Sequence, residues 1–408
     1  MKRILRARQV LPVSSPPIED GVVVVDEGRV EAFGRWADLQ GLCGDGEVED
    51  LGDSVLLPGF VNAHCHLDYT CMRGAILPPR DFASWIRRIN ELKRTLTDAD
   101  WLASITEGIR VSAEFGTTAI YNISAFPEVV PRVGEGGLRV WWFLELLDIR
   151  SRLLTEDLLA GALTFFDGEL PGSGGSGLSP HAPYTASAAL YQAAAECCHA
   201  RGMPCTTHLA ETVEEMDMFA SGKGPLFDFL EAIGRDMSDT GGGQTPVARV
   251  LGRGLVPLGT LLAHMNVLTA SDWQILEGNP LGISVVHCPG CHRYFGRDQF
   301  PLEQFQKLGI NVCLGTDSLA SNRTLSMTAQ MRDLMAANPS VSPELAVRMA
   351  TLHGALALGG SFGRIEEGAD ADLISIPLNG EAYESVVQHE GPVMRVGGNF
   401  EHGSRMSL

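Results

Sequence analysis

Residues 54–66 read SVLLPGFVNAHCH, an apolar and β-branched run that ends on two histidines one residue apart. Side chains of an extended segment alternate with period 2, so His64 and His66 share one side and Cys65 faces the other. Seven further runs of this character follow: TTAIYNIS (117–124), LRVWWFLELLD (138–148), GSGLSPHAPYT (175–185), PCTTHLAE (204–211), GTLLAHMNVL (259–268), GISVVHCP (282–289) and INVCLGTDS (310–318). Helical patterns separate them, as in SAALYQAAAECCHARG (187–202), where apolar residues recur at three- and four-residue steps. Eight strands alternating with helices predict an α/β chain whose parallel sheet closes into a (β/α)8 TIM-type barrel. An open doubly wound sheet would call for a G-x-G-x-x-G loop after an early strand, and none stands there.

The two ends differ from the middle. GVVVVDEGRVEAFG (21–34) and GRIEEGADADLISIP (363–377) are short strand patterns broken by Gly and Asp turns. Neither end is long enough to bury a core alone. The expectation is a small β-sandwich domain built from residues 1–57 and 362–408, flanking a barrel of residues 58–361. Residues 212–257 are too long for a plain barrel connection and predict added helices plus the loop SDTGGGQTP, as a lid, a partner surface or padding.

Composition narrows the function classes. With 31 basic and 50 acidic residues the net charge is −19, which argues against a nucleic-acid partner, since phosphate contacts need clustered Lys and Arg. No apolar run approaches the roughly 18 residues of a membrane span; the best stretch, LRVWWFLELLDI, is interrupted by Glu145 and Asp148. The N-terminus shows no continuous apolar region, and nine scattered cysteines fit reduced thiols; both predict a cytoplasmic protein. A homo-oligomer is compatible with all of this.

His64, His66, His181, His208, His264, His287 and Asp317 all fall at the C-terminal ends of predicted strands, which in a barrel is the catalytic rim. A single strand-end histidine is more often a satisfied structural residue than a ligand. The joint pattern resists that explanation, and three neutral imidazoles with a carboxylate suit Zn2+ or Fe2+. One competing signature is Cys288-Pro289-Gly290-Cys291-His292, the C-x-x-C-H spacing of c-type haem attachment. A chain without an export signal disfavours that reading, because the attachment normally occurs outside the cytoplasm.

PGFVNAHCHLD, SPHAPYT, THLAET, HMNVL, VVHCP and LGTDSLASN occur in the order found in the amidohydrolase superfamily, and the chain resembles its deaminase and chlorohydrolase branch most closely. The resemblance runs through to the terminal GRIEEGADADLI. It implies one divalent metal ion, Zn2+ ahead of Fe2+, held by His64, His66, His208 and Asp317. It makes Glu211 the proton-shuttling glutamate, His264 the residue that stabilises developing charge, and His181 a substrate contact. Glu211 alone would also suit an acid at a helix N-terminus. Such an ion lowers the pKa of water towards about 7, with Asp317 taking the water proton and Glu211 protonating the ring. Two-metal relatives use a lysine at the end of the fourth strand; none of Lys2, Lys93, Lys223 and Lys307 lies near it in sequence.

The implied reaction is deamination of an aminated heterocycle with ammonia release. An adenosine-type nucleoside with a bulky 5′ group leads: methylthioadenosine, adenosylhomocysteine or aminodeoxyfutalosine. Guanine, pterin and triazine aminohydrolases and the chlorohydrolases are the alternatives, with a catalytically dead binding relative behind them. Trp85 fits either a pocket wall or a core anchor. Arg150 and Arg152 suit a substrate carboxylate, Ser318, next to the metal-site aspartate, is an expected substrate contact, and Asp68 or Asp81 is the expected sugar contact. The family continues its HCP with a substrate-side pair; here Gly290, Cys291 and His292 stand instead, so His292 is expected at the rim.

Overall fold

The computed structural model describes residues 2–41, 47–134, 136–149, 154–172, 174–278 and 280–397. The first run of the sequence splits at Pro58–Gly59. Its front half is strand β5 (Ser54–Pro58), which follows β1 (Arg3–Val10), β2 (Ile18–Asp26), β3 (Arg29–Arg35) and β4 (Glu47–Asp50). These join β15 (Leu373–Pro377) and β16 (Met394–Arg395) in one seven-stranded sheet, in the order β16-β15-β5-β1-β2-β3 with β4 beside β1. The β unit expected from both termini is therefore present, as a continuous hydrogen-bonded sheet. Its valine run explains the packing: alternate residues point to opposite faces. Val22 and Val24 pack with Ile4 on one face, and Val23 and Val25 with Leu5 and Leu373 on the other.

The back half of the run, β6 (Phe60–His66), opens the barrel. It is followed by β7 (Thr117–Ser124), β8 (Arg139–Leu146), β9 (Gly175–Pro180), β10 (Thr206–Leu209), β11 (Leu261–His264), β12 (Ser284–His287) and β13 (Asn311–Leu314), with β14 (Asp317–Ser318) extending the last. Among the described residues the pairings between these strands are parallel. An isolated bridge between Leu178 and Cys205 joins β9 to β10. Closure comes from β14 on β6, with Asp317 opposite Cys65 and Ser318 opposite His66. Asn62 and Thr316 lock this seam: Asn62 Nδ2 donates to Thr316 Oγ1 at 2.8 Å, and Thr316 N–H donates to Asn62 Oδ1 at 3.1 Å. Strand 1 and strand 8 are thereby forced into the register that sets His66 beside Asp317.

The segment 212–257 forms helices Val213–Ser221, Pro225–Ala232 and Pro246–Val250. Met218, Phe219, Leu226 and Phe229 pack with Phe82, Ala182 and Tyr184 from the barrel rim. The insertion is thus a wall over the strand ends. No helix among the described residues is long and apolar enough to cross a membrane.

Gly59 is the joint between the two sheets. A Cβ there would lie 2.2 Å from both the Cγ2 and the Oγ1 of Thr118. Gly59→Ala is therefore expected to lower stability by about 1–3 kcal/mol through overpacking, read as a lower denaturant midpoint at unchanged slope.

Candidate active site

The alternation read in residues 54–66 holds in space. His64 and His66 rings lie 5.1 Å apart, centroid to centroid. Cys65 packs away from them, with Leu67 and Ile120. His208, from β10, joins the pair: its ring centroid is 4.8 Å from that of His64, and its Nε2 is 3.2 Å from His66 Nε2. One ligand nitrogen from each of the three lies within 4.8 Å of the others. Asp317 Oδ1 closes the group, 3.9 Å from His64 Nε2 and 3.8 Å from His66 Nε2. Its backbone is left-handed, at φ 57°, and so is that of His264, at φ 77°. Non-glycine residues adopt that conformation at a cost, and it recurs where a site dictates the backbone.

The donor chemistry of this cluster fits a divalent ion. Both ring nitrogens of His64 and the Nδ1 of His66 are buried without a hydrogen-bond partner among the described residues. Burial pushes the pKa of each of these two rings well below the ordinary value of 6.5, with neighbouring histidines adding to the effect, so they are neutral and able to donate a lone pair. His208 is oriented through its far nitrogen: Nδ1–H donates to the His181 carbonyl at 2.8 Å, leaving the Nε2 lone pair for the cluster. Burial likewise raises the Asp317 pKa, with Glu211 next in effect.

Glu211 and His264 stand beside the cluster, with His264 Nε2 3.8 Å from Glu211 Oε1. Glu211 is held at three points. Its N–H donates to Glu215 Oε2 at 2.7 Å, its carbonyl accepts from Asn266 Nδ2 at 3.0 Å, and its Oε1 accepts from Arg297 at 2.7 Å. Arg297 and Asn266 were not anticipated from the sequence; an arginine five residues after a departure from the family pattern is a weak signal without the fold. Glu215 is fully enclosed, and burial, helped by Glu211, raises its pKa from 4.5 to about 8 against the pull of the backbone N–H groups.

A cavity of about 300 Å3 opens over His66, His208, Glu211, His264 and Asp317. Tyr69, Phe82, Trp85, Tyr184 and Phe229 supply aromatic wall, and Lys93, Glu145, His181, Thr185 and Ser318 supply polar groups. Trp85 lines the cavity, and its Nε1–H donates to the Ala320 carbonyl at 3.3 Å. His181 is braced by Thr185, with Nδ1 2.5 Å from Oγ1, and its Nε2 lies 3.9 Å from Glu145 Oε1.

Other expected contacts are placed elsewhere. Arg150 and Arg152 fall outside the described residues. Asp81 caps the helix Phe82–Lys93, accepting from Ser84 N–H at 2.7 Å, and does not line the cavity. Asp68 is buried with both carboxylate oxygens unpartnered among the described residues, its pKa raised to about 7 by burial and then by Glu145. His292 does not reach the cavity. Its Nε2 lies 2.5 Å from the Asp298 carbonyl, its Nδ1 3.3 Å from Asn266 Oδ1, and its ring packs edge-on to His287. His287 in turn stacks on Phe300 at 3.9 Å. The reason is local: Cys288 begins a helical turn, Pro289–Tyr294, which rotates His292 behind the rim. The same turn buries Cys288 and Cys291, leaving no accessible thiol pair for haem attachment.

The amidohydrolase family model matches residues 55–393, which is most of the chain. The chain belongs to the amidohydrolase family. Among curated relatives of this amidohydrolase, the 5-methylthioadenosine/S-adenosylhomocysteine deaminase of Moorella thermoacetica is 30% identical over 395 residues, covering 92% of this chain and 86% of the relative. The aminodeoxyfutalosine deaminase of Deinococcus radiodurans is 30% identical over 355 residues, covering 83% and 81%. Among solved structures, an adenosine deaminase from Xanthomonas campestris with bound zinc superposes with a TM-score of 0.79 at 24% identity, covering 95% of this chain and 89% of that one. That likeness shows the shared amidohydrolase fold.

Two outcomes are expected. Chelated protein should rebind about one equivalent of Zn2+ per chain by calorimetry, and His64→Ala or His208→Ala should weaken binding by at least ~100-fold. Glu215 carries the pH test. An acid whose folded pKa is raised binds a proton in the folded state that the unfolded chain lacks, between about 4.5 and 8 here. Its contribution to stability therefore falls as pH rises through that window. The stability difference between wild type and Glu215→Gln should fall in step, read by denaturant titration at several pH values.

Proposed function

We propose that this metal-dependent deaminase acts on an adenine-type nucleoside carrying a 5′ substituent, such as methylthioadenosine, adenosylhomocysteine or aminodeoxyfutalosine. The observation that carries the reading is the placement of Glu211 and His264, 3.8 Å apart, beside the three-histidine cluster at the base of an aromatic-walled cavity. An ion held by His64, His66, His208 and Asp317, Zn2+ before Fe2+, would supply Lewis acidity that makes water a nucleophile near neutral pH. The two curated relatives named above, deaminases of methylthioadenosine/adenosylhomocysteine and of aminodeoxyfutalosine, support the same reading.

The chain's own residues divide the remaining work. Asp317 accepts a proton from the attacking water. Glu211 delivers a proton to the ring nitrogen next to the reacting carbon and recovers one from the newly added hydroxyl. Asp317 returns its proton to the amino group, which leaves as ammonia. His264, held neutral by burial, stabilises the charge that develops. The aromatic wall takes the base, and at about 300 Å3 the cavity suits a single nucleoside.

Sugar recognition is assigned to Glu145 and Lys93 in place of Asp68 and Asp81. Both line the cavity. Lys93 Nζ donates to Tyr69 OH at 2.9 Å and has hydrogens to spare. A carboxylate and an ammonium so placed suit a vicinal diol, which donates to one and accepts from the other.

Metal-replete enzyme should release ammonia from 5′-methylthioadenosine at least ~10-fold faster than from guanine, pterins or the 2′,3′-dideoxy nucleoside. Glu211→Gln should lose about 100- to 10,000-fold in kcat with metal retained. Ammonia from none of these heterocycles would remove the assignment.

A further inference from the structure

Arg297 is a buried charge that the reaction scheme leaves unused. It does not line the cavity, so it cannot touch a substrate lying there. Its side chain is only 11% exposed, and its guanidinium lies 4.6 Å from the Phe295 ring centroid. One hydrogen bond meets it, from Nη2 to Glu211 Oε1 at 2.7 Å, while Nη1 is buried with no partner among the described residues. Burying a guanidinium is costly unless a counter-charge is held against it. Here that counter-charge is Glu211.

We propose that Arg297 is a positioning residue for the proton-moving glutamate. It occupies Oε1, so that Oε2 is the oxygen that exchanges the proton with substrate. The pairing is monodentate, as the unpartnered Nη1 shows, so Arg297 does not compete for the second oxygen.

The neighbouring residues make the hold rigid and account for the Gly290-Cys291-His292 departure. His292, neutral because burial lowers its pKa to about 4, donates to the Asp298 carbonyl, anchoring the chain immediately after Arg297. Asn266 donates from Nδ2 to the Glu211 carbonyl; its Oδ1 lies 3.3 Å from His292 Nδ1, a packing contact, because neutral His292 gives its one N–H to Asp298. The segment 288–298 thus braces Glu211 from behind, away from the substrate.

This inference rests on Glu211 being the proton-moving group, and its test separates the two. The test is a double-mutant cycle of Arg297→Met and Glu211→Gln in zinc-loaded enzyme, followed with 5′-methylthioadenosine and in thermal stability. Arg297→Met should lower kcat by about 10- to 100-fold with KM changed less than about threefold, and Arg297→Lys should recover part of the loss. In the Glu211→Gln background the same substitution should cost no more than about twofold, because its effect passes through Glu211. Additive losses in kcat, an effect on KM alone, or wild-type kcat in Arg297→Met would overturn the proposal. Glu211→Gln with wild-type kcat would overturn it together with the assignment of Glu211. If wild type does not turn over this nucleoside, only the substrate assignment fails. The stability cycle then decides: non-additive losses support the pairing and additive ones overturn it. If Arg297→Met does not fold, Arg297→Lys carries both cycles.

Discussion

Three imidazoles share a buried volume in which the protein offers their nitrogens too few partners. A buried polar atom without a hydrogen bond destabilises a fold, and His64 alone contributes two such nitrogens. The arrangement persists because neighbouring structure over-determines it. The β6–β14 seam locks His64 and His66 against Asp317, and the His181 carbonyl fixes the His208 ring. A cation shared by these lone pairs is the physical resolution, and the rest of the site is arranged around that need. Burial keeps the rings neutral, which is the state a metal requires.

Around this cluster the protein separates two kinds of support. The groups facing the cavity are aromatic rings, with Glu145 and Lys93 among its polar lining. Groups behind it hold Glu211 still. Glu215, Asn266 and Arg297 each bind a different atom of Glu211, so its backbone and its side chain are both constrained. A proton carrier gains from such restraint because transfer depends on distance and direction.

The insertion at residues 212–257 and the segment at 288–298 illustrate how different parts of the sequence reach the site. The first was legible as an excess of length, and the fold made it the wall that contributes Phe229, Leu230 and Ile233. The second was legible as a departure from the family pattern, but its direction was misleading. His292 stood where a substrate contact was expected, yet a single helical turn carries it behind the rim, where it anchors the residue after Arg297. Trp85, by contrast, stands in the cavity lining while its indole N–H is tied to the Ala320 carbonyl.

The barrel, its strand ends and the histidines that stand there were determined by the sequence alone, while the choice of metal ligands among them came from the resemblance to the amidohydrolases. They depend on period and order: alternation along SVLLPGFVNAHCH puts two histidines on one side, and eight repeats place polar residues at one rim. Which second residue touches which first one was decided only by the tertiary structure. Lys93 with Tyr69, Glu145 near His181, and Arg297 on Glu211 are pairs separated by 24, 36 and 86 positions. No local pattern encodes such pairs, because they arise from the closure of the barrel and from how a helical turn is rotated after its strand. The sequence thus specifies the chemistry available at the rim, and the fold specifies which groups face the substrate and which hold those groups in place.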